Sequence, residues 1–331
     1  MVSSCLCDSI CKNKTDRDFN LWNSEKNNLK FLDIGIMCDN ADQVFSLVIP
    51  SSKKLTIKDL TDNIKGDIRN SIFNCYVNMQ TIGSYEILKK ENHDEESFLL
   101  SPIKPKQEFS PTNDSELVTV EIKVKKVNKE DIDGIEVKRK YLRFRIEKFD
   151  ISKFLITQDS DSKIFESSFI RSKIIDFRVN DYRILTSDKI QEYKLDDYSY
   201  KKIHFFYMTD ALETISMNND ICNVRFLELN IWNDYLGKNR KQDILVYHMK
   251  DESKSNSSFL IKSQQEKTSV SHLFFYAGVV IYLALLANFV FSFIPLRSGL
   301  TKINWSVFWI TTVLFLIIPL LIFIFLRKKK K

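Results

Sequence analysis

Glu121 and Lys123, in the stretch VEIKVKK, have the clearest spacing for catalysis in this chain. Residues two apart share one face of a strand, so their carboxylate and amine would lie side by side. With a second carboxylate such as Asp114, they would bind Mg²⁺ and position an attacking water, as a metal-dependent nuclease requires. Glutamate and lysine also alternate on ordinary solvated strands, which is the role we favour. Because no nucleophile elbow, P-loop or kinase motif is present, we predict that the chain is not an enzyme.

Two groups of arginines and aromatic residues are candidates for contacts to a ligand or partner. The stretch DFRVNDYR places Arg178 and Arg183 near aspartates, and RFLELNIWNDYLG places Arg225 near Trp232 and Tyr235. Arginine forks and aromatic faces suit nucleotide or phosphate ligands. The same residue types also form salt bridges and core contacts in a sheet. We favour that structural role and keep the five residues as possible ligand contacts.

The cysteines and histidines give no complete metal site. Cys5, Cys7 and Cys11 form a C-x-C-x3-C cluster that would bind zinc only with a fourth ligand from elsewhere in the chain. His204, in KIHFFYM, stands beside two phenylalanines on an expected strand, which favours a structural role over catalysis. We therefore predict no bound metal and no cofactor.

Most of the net positive charge lies in a short basic tail. The formal net charge is +6, and once the five charges of the tail are set aside the rest carries about +1. No large basic surface is expected, so we predict no direct reading of nucleic acid. The tail consists of Arg327, Lys328, Lys329, Lys330 and Lys331.

Two apolar segments predict a transmembrane hairpin. Residues 273–294 and 305–326 each provide about 22 positions without an ionisable side chain, enough for a helix of roughly 33 Å that matches a bilayer core. Pro295 and Gly299 lie in the connection and favour a turn. Because lysine and arginine collect on the cytoplasmic side, the tail 327–331 predicts a multi-pass inner-membrane protein with both termini in the cytoplasm.

The first apolar segment carries a face suited to contact between helices. Ala277, Ile281, Ala284 and Asn288 follow at steps of four, three and four, so they share one side of a helix. Small residues allow close approach in lipid, and an asparagine there seeks a hydrogen-bond partner. We expect this face to contact either the second span of the same chain or a second copy.

The chain before the hairpin predicts a mainly β (α+β) fold, built as an antiparallel sandwich or barrel. Stretches such as ELVTVEIKVKKV and KYLRFRIEKF alternate apolar and polar residues, which is typical of half-buried strands. The recurrence of apolar residues every four positions from Thr56 to Tyr76 predicts a helix. The predicted organisation is a polar N-terminal arm at 1–28, an α+β subdomain with a strand pair at 29–100, a Pro-containing linker at 101–116, a β-rich domain at 117–263, a tether at 264–272, transmembrane helices at 273–294 and 305–326, and a basic cytoplasmic tail at 327–331.

A cytoplasmic β-rich domain followed by a two-helix hairpin resembles the transmembrane effectors of bacterial anti-phage defence systems, including those encoded beside retron reverse transcriptases. The stretches KIIDFRVND, KIHFFYM and VRFLELNIWNDYL are similar to the soluble part of such proteins. The resemblance covers the layout only. It implies an effector that a reverse transcriptase and its DNA or RNA product hold inactive.

These observations lead to one expected function and three alternatives. We expect a defence effector whose β-rich domain senses a partner or ligand and whose hairpin oligomerises in membrane lipid and permeabilises it. The alternatives are a passive membrane-anchored binding or scaffold protein, an effector gated by a cyclic nucleotide, and a tethered metal-dependent nuclease.

Overall fold

Eighteen strands and four α-helices make up most of the described chain. The computed structural model describes residues 5–9, 15–51, 54–91, 97–111, 116–147, 149–158, 170–181, 187–192, 200–217, 221–237, 243–252, 257–266, 270–293 and 313. The strands are β1 Cys5–Ser9, β2 Thr15–Ser24, β3 Leu29–Asp39, β4 Gln43–Pro50, β5 Thr56–Asp59, β6 Val77–Ile82, β7 Tyr85–Lys90, β8 Ser97–Leu100, β9 Pro105–Pro111, β10 Glu116–Val124, β11 Arg139–Glu147, β12 Leu155–Gln158, β13 Ile170–Val179, β14 Tyr200–Asp210, β15 Thr214–Met217, β16 Ile221–Phe226, β17 Ile244–Asp251 and β18 Ser257–Glu266. The helices are α1 Asp67–Phe73, α2 Ser187–Glu192, α3 Leu229–Leu236 and α4 Val270–Phe293, and short 3-10 turns lie at Thr61–Asn63, Lys129–Ile132 and Ile151–Lys153.

The strands form two sheets of mixed direction. The first sheet has the order β15-β18-β13-β1-β4-β10-β9, with β12 beside β13. The second has the order β16-β17-β14-β2-β3-β11-β8-β7-β6, with β5 beside β11. Parallel pairs join β1 to β13, β2 to β14 and β8 to β11, so the predicted antiparallel architecture is wrong in this respect. The mainly β character of the prediction is confirmed.

The two sheets pack face to face through aromatic side chains. Phe177 of the first sheet contacts Phe19 and Phe205 of the second, with ring centroids 5.6 Å and 4.6 Å away. Phe205 also stacks on Phe259, on β18 of the first sheet, at 4.8 Å. All four rings are buried, and each contributes about 1.5 to 3 kcal/mol of burial free energy. This interior makes the described strands a β-sandwich.

The outer face of the second sheet is also largely buried. On β11, Leu142 and Phe144 face the sandwich core, as alternation predicts, while Arg143 and Arg145 point to the other side. Both arginines are nonetheless buried, at 1% and 5% exposure, where a solvated face was expected. Helix α3 covers part of this face. Its Trp232 packs on Trp22 of β2 with ring centroids 5.9 Å apart.

Three predicted local elements are corrected by the structure. The predicted polar arm at 1–28 contains β2, an interior strand of the second sheet between β14 and β3. The predicted helix from Thr56 to Tyr76 consists of β5, a 3-10 turn and α1, because Gly66, at a φ of 55°, precedes α1. The segment at 101–116, expected as a linker, contributes β9 to the first sheet.

The expected strand pair at the start of the α+β subdomain is half right. Both strands form, as β3 and β4, and they follow each other closely along the chain. They do not pair with each other. The chain crosses from one sheet to the other between them, so that β3 pairs with β2 and β11 while β4 pairs with β1 and β10.

The chain forms two compact units. One consists of Met1–Asp159 and Ser172–Gln265 and holds the sandwich, and the other consists of Ser160–Arg171 and Glu266–Lys331 and contains α4. A bilayer core requires about 20 consecutive apolar residues in one helix. Across the described residues, no helix has the combined length and apolar character to cross a membrane. This finding overturns the predicted transmembrane hairpin, and with it the multi-pass inner-membrane location and the pore.

The residues assigned to the hairpin are placed only in part. Within α4, Ala277, Ile281 and Ala284 are exposed, whereas the side chain of Asn288 lies outside the described residues. The span expected at 305–326 lies outside them except for Val313. The basic tail lies outside them as well, with Arg327, Lys328, Lys329, Lys330 and Lys331.

Candidate functional site

A cavity of about 300 Å³ lies on the outer face of the second sheet, within the sandwich unit. The second sheet contributes lining residues from strands β2, β3, β7, β11, β14, β16 and β17, and α1 with the residue after it contributes the rest. The lining residues are Asp16, Asp18, Met37, Ser71, Ile72, Phe73, Asn74, Lys90, Tyr141, His204, Phe206, Asn223, Arg225, Val246 and His248.

Three nearly parallel rings form the part of the cavity on β14 and β17. Phe206 lies opposite His248 in the antiparallel register, and their rings stack at 4.4 Å with an interplanar angle of 8°. The ring of His204 lies 5.1 Å from that of His248, at 25°. Alternation along β14 places His204 and Phe206 on the same outer face, while Phe205 between them enters the core.

The two histidines are joined directly. Nδ1 of His204 lies 2.9 Å from Nε2 of His248, so one ring donates the proton and the other accepts it. Burial, and after it the neighbouring His204, Arg225 and Lys250, lower the pKa of His248 to about 4. His248 is therefore neutral at pH 7.

Two carboxylates of β2 lie beside these rings. Asp18 is opposite His204 in the parallel register of β2 and β14. Burial raises the pKa of Asp18, against the opposing effects of His204 and Arg143. Asp16 lies two residues earlier on the same face, and its Oδ1 is buried with no hydrogen-bond partner among the described residues. Its Oδ2 lies 4.0 Å from Arg139 Nη1, which is a long ion pair.

Gly35 makes room for the hydroxyl group that contacts Asp18. Tyr141 Oη donates to Asp18 Oδ2 at 3.3 Å, in the space above β3 where Gly35 has no side chain. A Cβ on Gly35 would overlap Tyr141 Oη and lie 3.0 Å from Asp18 Oδ2. Any other residue at this position would displace the tyrosine or the carboxylate.

A buried network of hydrogen bonds fixes Tyr141 from behind. Arg143 donates from Nη1 to Tyr141 Oη at 2.9 Å and from Nε to Tyr235 Oη at 2.7 Å. Tyr235 in turn donates to Asp33 Oδ2 at 2.8 Å. Arg145 donates to both oxygens of Asp33, at 2.7 Å and 3.0 Å. Burial raises the pKa of Tyr141 and of Tyr235, so both stay protonated as donors.

Two cationic side chains complete the cavity lining. Arg225, on β16, donates from Nη2 to the carbonyl oxygen of Ser71 at 3.4 Å and lies 3.7 Å from Glu228 Oε1. Lys90 lies over the ring of Phe73, with Nζ 5.8 Å from the centroid. Arg225 is partly exposed, so its guanidinium can donate further hydrogen bonds, to solvent or to a ligand, beyond these two weak contacts.

The five predicted ligand contacts are not brought together. Arg225 alone lines the cavity, while Tyr235 belongs to the network behind it. Trp232 is a core residue of α3, and its Nε1 donates to Glu228 Oε2 at 3.1 Å. Arg178 lies on β13 of the first sheet, and Arg183 lies outside the described residues.

Arg178 has the structural role that we favoured for it. Its Nε donates to Asp176 Oδ1 at 2.9 Å and its Nη1 to Asp181 Oδ2 at 2.8 Å. These hydrogen bonds raise the pKa of the guanidinium. The arginine is therefore occupied by carboxylates of its own strand and the turn that follows.

The candidate metal sites gain no support from the structure. Glu121 and Lys123 lie on β10 as predicted, but Asp114 lies outside the described residues. Among the residues that the structure describes, no group of three or more His, Cys, Asp or Glu side chains is arranged to hold a metal ion. Cys5 and Cys7 lie on β1 without described side chains, and Cys11 lies outside the described residues.

Sequence reasoning missed most of the cavity. Asp16 and Asp18 were assigned to a polar arm, and His248 was not considered as a partner of His204. The two histidines are separated by 44 positions, so no local spacing reveals their pairing. The usable signal is the alternation in DRDFNLW, where Phe19 and Leu21 mark a strand and thereby place the aspartates on its opposite face.

The chain matches no protein-family model and no curated protein.

Proposed function

We propose that this chain is a binding protein for a small polar molecule and that the cavity on the second sheet is its ligand site. The observation that carries the proposal is the pair of carboxylates on β2. Asp16 has a buried oxygen without a partner among the described residues, and the pKa of Asp18 is raised by burial. Buried polar groups usually have a partner, and a cavity with such groups is the expected place for a ligand.

Rigid support of the lining favours binding. Tyr141 is held by Arg143, and the histidines hold each other and stack with Phe206. A site whose side chains are already fixed loses little conformational entropy when a ligand enters. The cavity volume of about 300 Å³ lies at the lower end of the range for small-molecule sites.

The earlier expectation of a membrane-disrupting effector depended on the hairpin, so we do not propose it. Ligand sensing is the component of that expectation that does not need a membrane span. An inhibitory reverse transcriptase and the absence of enzymatic activity stay predictions.

Thermal unfolding of the full chain with a panel of small molecules tests the proposal. The panel contains nucleosides and their monophosphates, amino acids, polyamines and sugar phosphates at millimolar concentration. A molecule that binds only the folded chain raises its Tm by mass action. Asn223→Trp would fill the cavity, while Val224→Trp is the matched control because the neighbouring side chain of β16 points to the opposite face of the sheet.

We expect at least one class to raise the Tm of the natural chain and of Val224→Trp, but not that of Asn223→Trp. The proposal is wrong if no class raises the Tm. It is also wrong if every shift persists in Asn223→Trp, since the molecule then binds elsewhere.

A further inference from the structure

The inference concerns the class of ligand, and it rests on the proposed function. The rings of Phe206, His248 and His204 lie within 25° of one another along one side of the cavity. Aromatic rings stack best on other flat rings, in offset parallel contacts. A planar ligand therefore gains contacts here that a sugar or an aliphatic chain of the same size does not.

The two aspartates determine which hydrogen-bonding groups the ring of the ligand must carry. Asp16 and Asp18 both line the cavity, two residues apart on the same face of β2, and Asp16 Oδ1 has no hydrogen-bond partner among the described residues. Carboxyl oxygens accept hydrogen bonds, so a ligand that presents N–H or O–H groups along one edge fits beside these two side chains. A buried acceptor left without a donor is costly, so this edge of the ligand contributes to specificity.

Arg225 determines which group the ligand carries at the end of the cavity away from the aspartates. Strands β17 and β14 separate β16 from β2, so the arginine is three strand spacings, about 14 Å, from the aspartates. This separation exceeds the width of a single ring. A ligand that reaches both ends must carry its anionic group on a linker away from the ring.

We infer that the cavity binds a planar nitrogen heterocycle, with its N–H edge at Asp16 and Asp18, its ring stacked as a further layer on the Phe206–His248 ring pair, and an anionic substituent at Arg225. Nucleoside monophosphates have this chemistry: a ring with N–H donors, a spacer and an anion. Free heterocyclic amines and carboxylate-bearing heterocycles share parts of it, and the test separates them.

Isothermal titration calorimetry of the full chain provides the test. The probes are the 5′-monophosphates of guanosine, adenosine and cytidine, the three nucleosides without phosphate, and ribose 5-phosphate, which lacks the heterocyclic base. We expect at least one monophosphate to bind at least tenfold more tightly than ribose 5-phosphate. The corresponding nucleoside should bind more weakly than the monophosphate but still measurably.

Two variants test which end of the ligand lies at the aspartates and which end lies at Arg225. Asp16→Asn should weaken the monophosphate and its nucleoside alike, by about tenfold, because both use the N–H edge. Arg225→Gln should weaken the monophosphate by about tenfold and leave the nucleoside unchanged, because only the anion is lost. The exposed substitutions Asp243→Asn and Lys262→Gln are the charge-matched controls and should change neither affinity.

The outcomes separate this inference from the proposed function. The inference is overturned if ribose 5-phosphate binds as tightly as the nucleotides, or if only non-aromatic molecules of the wider panel bind in the cavity. In both cases a ligand still occupies the site, so the proposed function stands. If no molecule binds, both fail. If a nucleotide binds but Asp16→Asn and Arg225→Gln leave its affinity unchanged, the assigned orientation is wrong and the inference fails.

Discussion

His204 and His248, on neighbouring strands of the second sheet, share one hydrogen bond of 2.9 Å between Nδ1 of the first and Nε2 of the second. The contact is possible because β14 and β17 place both rings on the outer face, beside Phe206. Only one of the two facing nitrogens can carry the proton. A second proton on His248 therefore places a positive charge in this partly buried contact, close to Arg225 and Lys250.

This relationship predicts how stability depends on pH. The pKa of His248 is lowered to about 4 in the folded chain, whereas an unfolded histidine titrates near its ordinary value of 6.5. Below pH 6.5 the unfolded state therefore binds more protons than the folded one, so the stabilisation present at neutral pH is lost as the pH falls towards 4. We expect a loss of about 2 to 3 kcal/mol from this residue, measured by urea unfolding at several pH values.

His248→Phe isolates that contribution, since a phenyl ring keeps the stacking on Phe206 and cannot titrate. The variant should show a shallower decrease in unfolding free energy between pH 6.5 and 4 than the natural chain. Lys262→Gln, on the first sheet, is the control and should keep the natural slope. Equal slopes in the natural chain and in His248→Phe would show that folding does not change the pKa of His248.

Asp18→Asn should make the protein more stable at neutral pH. The pKa of Asp18 is raised by burial, so its ionised form is disfavoured in the folded chain at pH 7. The protonated carboxyl group of Asp18 stabilises the folded chain fully below pH 3.8, the pKa in the unfolded chain. This stabilisation is lost as the pH rises through the higher pKa of the folded chain. An asparagine has no such charge, and its Oδ1 can still accept from Tyr141.

Thermal unfolding of the full chain measures this effect. We expect Asp18→Asn to raise the Tm at pH 7 by a few degrees, equivalent to about 1 kcal/mol, and to lose this advantage near pH 3.5. Asp243→Asn, at an exposed position, should leave the Tm unchanged at both pH values. An Asp18→Asn variant that is less stable than the natural chain at pH 7 would contradict the assigned cost of the buried charge.

Gly35→Ala should destabilise the chain through Tyr141. The new Cβ would overlap the tyrosine hydroxyl, and overpacking of this kind typically costs about 1 to 3 kcal/mol. Tyr141→Phe removes the overlapping oxygen, so Gly35→Ala should cost less in the Tyr141→Phe background than in the natural chain. Chemical denaturation of the four proteins in this cycle gives the coupling free energy. Additive costs would mean that the alanine is accommodated in another way.

The sequence predicted where many strands run, but not what their polar faces contact. Alternation correctly identified β11, with Leu142 and Phe144 in the core. It also suggested that Arg143 and Arg145 face solvent, whereas both are buried. Alternation shows which residues share a face. Whether that face is covered depends on α3 and on Asp33, which come from distant parts of the chain.

The same limit explains the misplaced N-terminal arm and the misplaced helix. Half of β2 consists of Asp, Asn and Arg, and partners from distant strands help to place such residues in an interior strand, as Tyr141 of β11 does for Asp18. In the predicted helix from Thr56 to Tyr76, Leu60, Ile64 and Ile68 are indeed buried. A spacing of four residues fits their burial, but the conformation of Gly66 separates them into different elements.

The cavity could be predicted only in fragments. Arg225 was singled out for its residue type, and it does line the cavity. The two aspartates, the second histidine and Tyr141 are contributed by strands far apart in sequence. Their proximity results from the order β17-β14-β2-β3-β11 in the second sheet, which depends on a parallel pairing of β2 with β14 that no local pattern specifies.

Asp33 and Arg145 provide the last prediction, because they form the most deeply buried ion pair behind the cavity. Arg145 donates to Asp33 at 2.7 Å and 3.0 Å, and the two side chains are 6% and 0% exposed. Removing one partner leaves a buried charge without compensation, so Asp33→Asn and Arg145→Met should each cost about 3 to 5 kcal/mol. The double variant should cost clearly less than the sum of the two, by a coupling of about 2 kcal/mol measured in urea unfolding.

The Asp33→Asn variant also tests whether this ion pair supports the cavity. Asp33 accepts from Tyr235, which contacts Arg143 and through it Tyr141, so loss of the carboxylate should loosen the tyrosine that bonds to Asp18. Asp33→Asn should therefore weaken ligand binding in the cavity under conditions where the variant is still folded. Lys129→Gln removes an exposed ion pair with Glu136 and should affect neither stability nor binding by more than about 0.5 kcal/mol. An Asp33→Asn variant that binds with natural affinity would show that the cavity is rigid without the network.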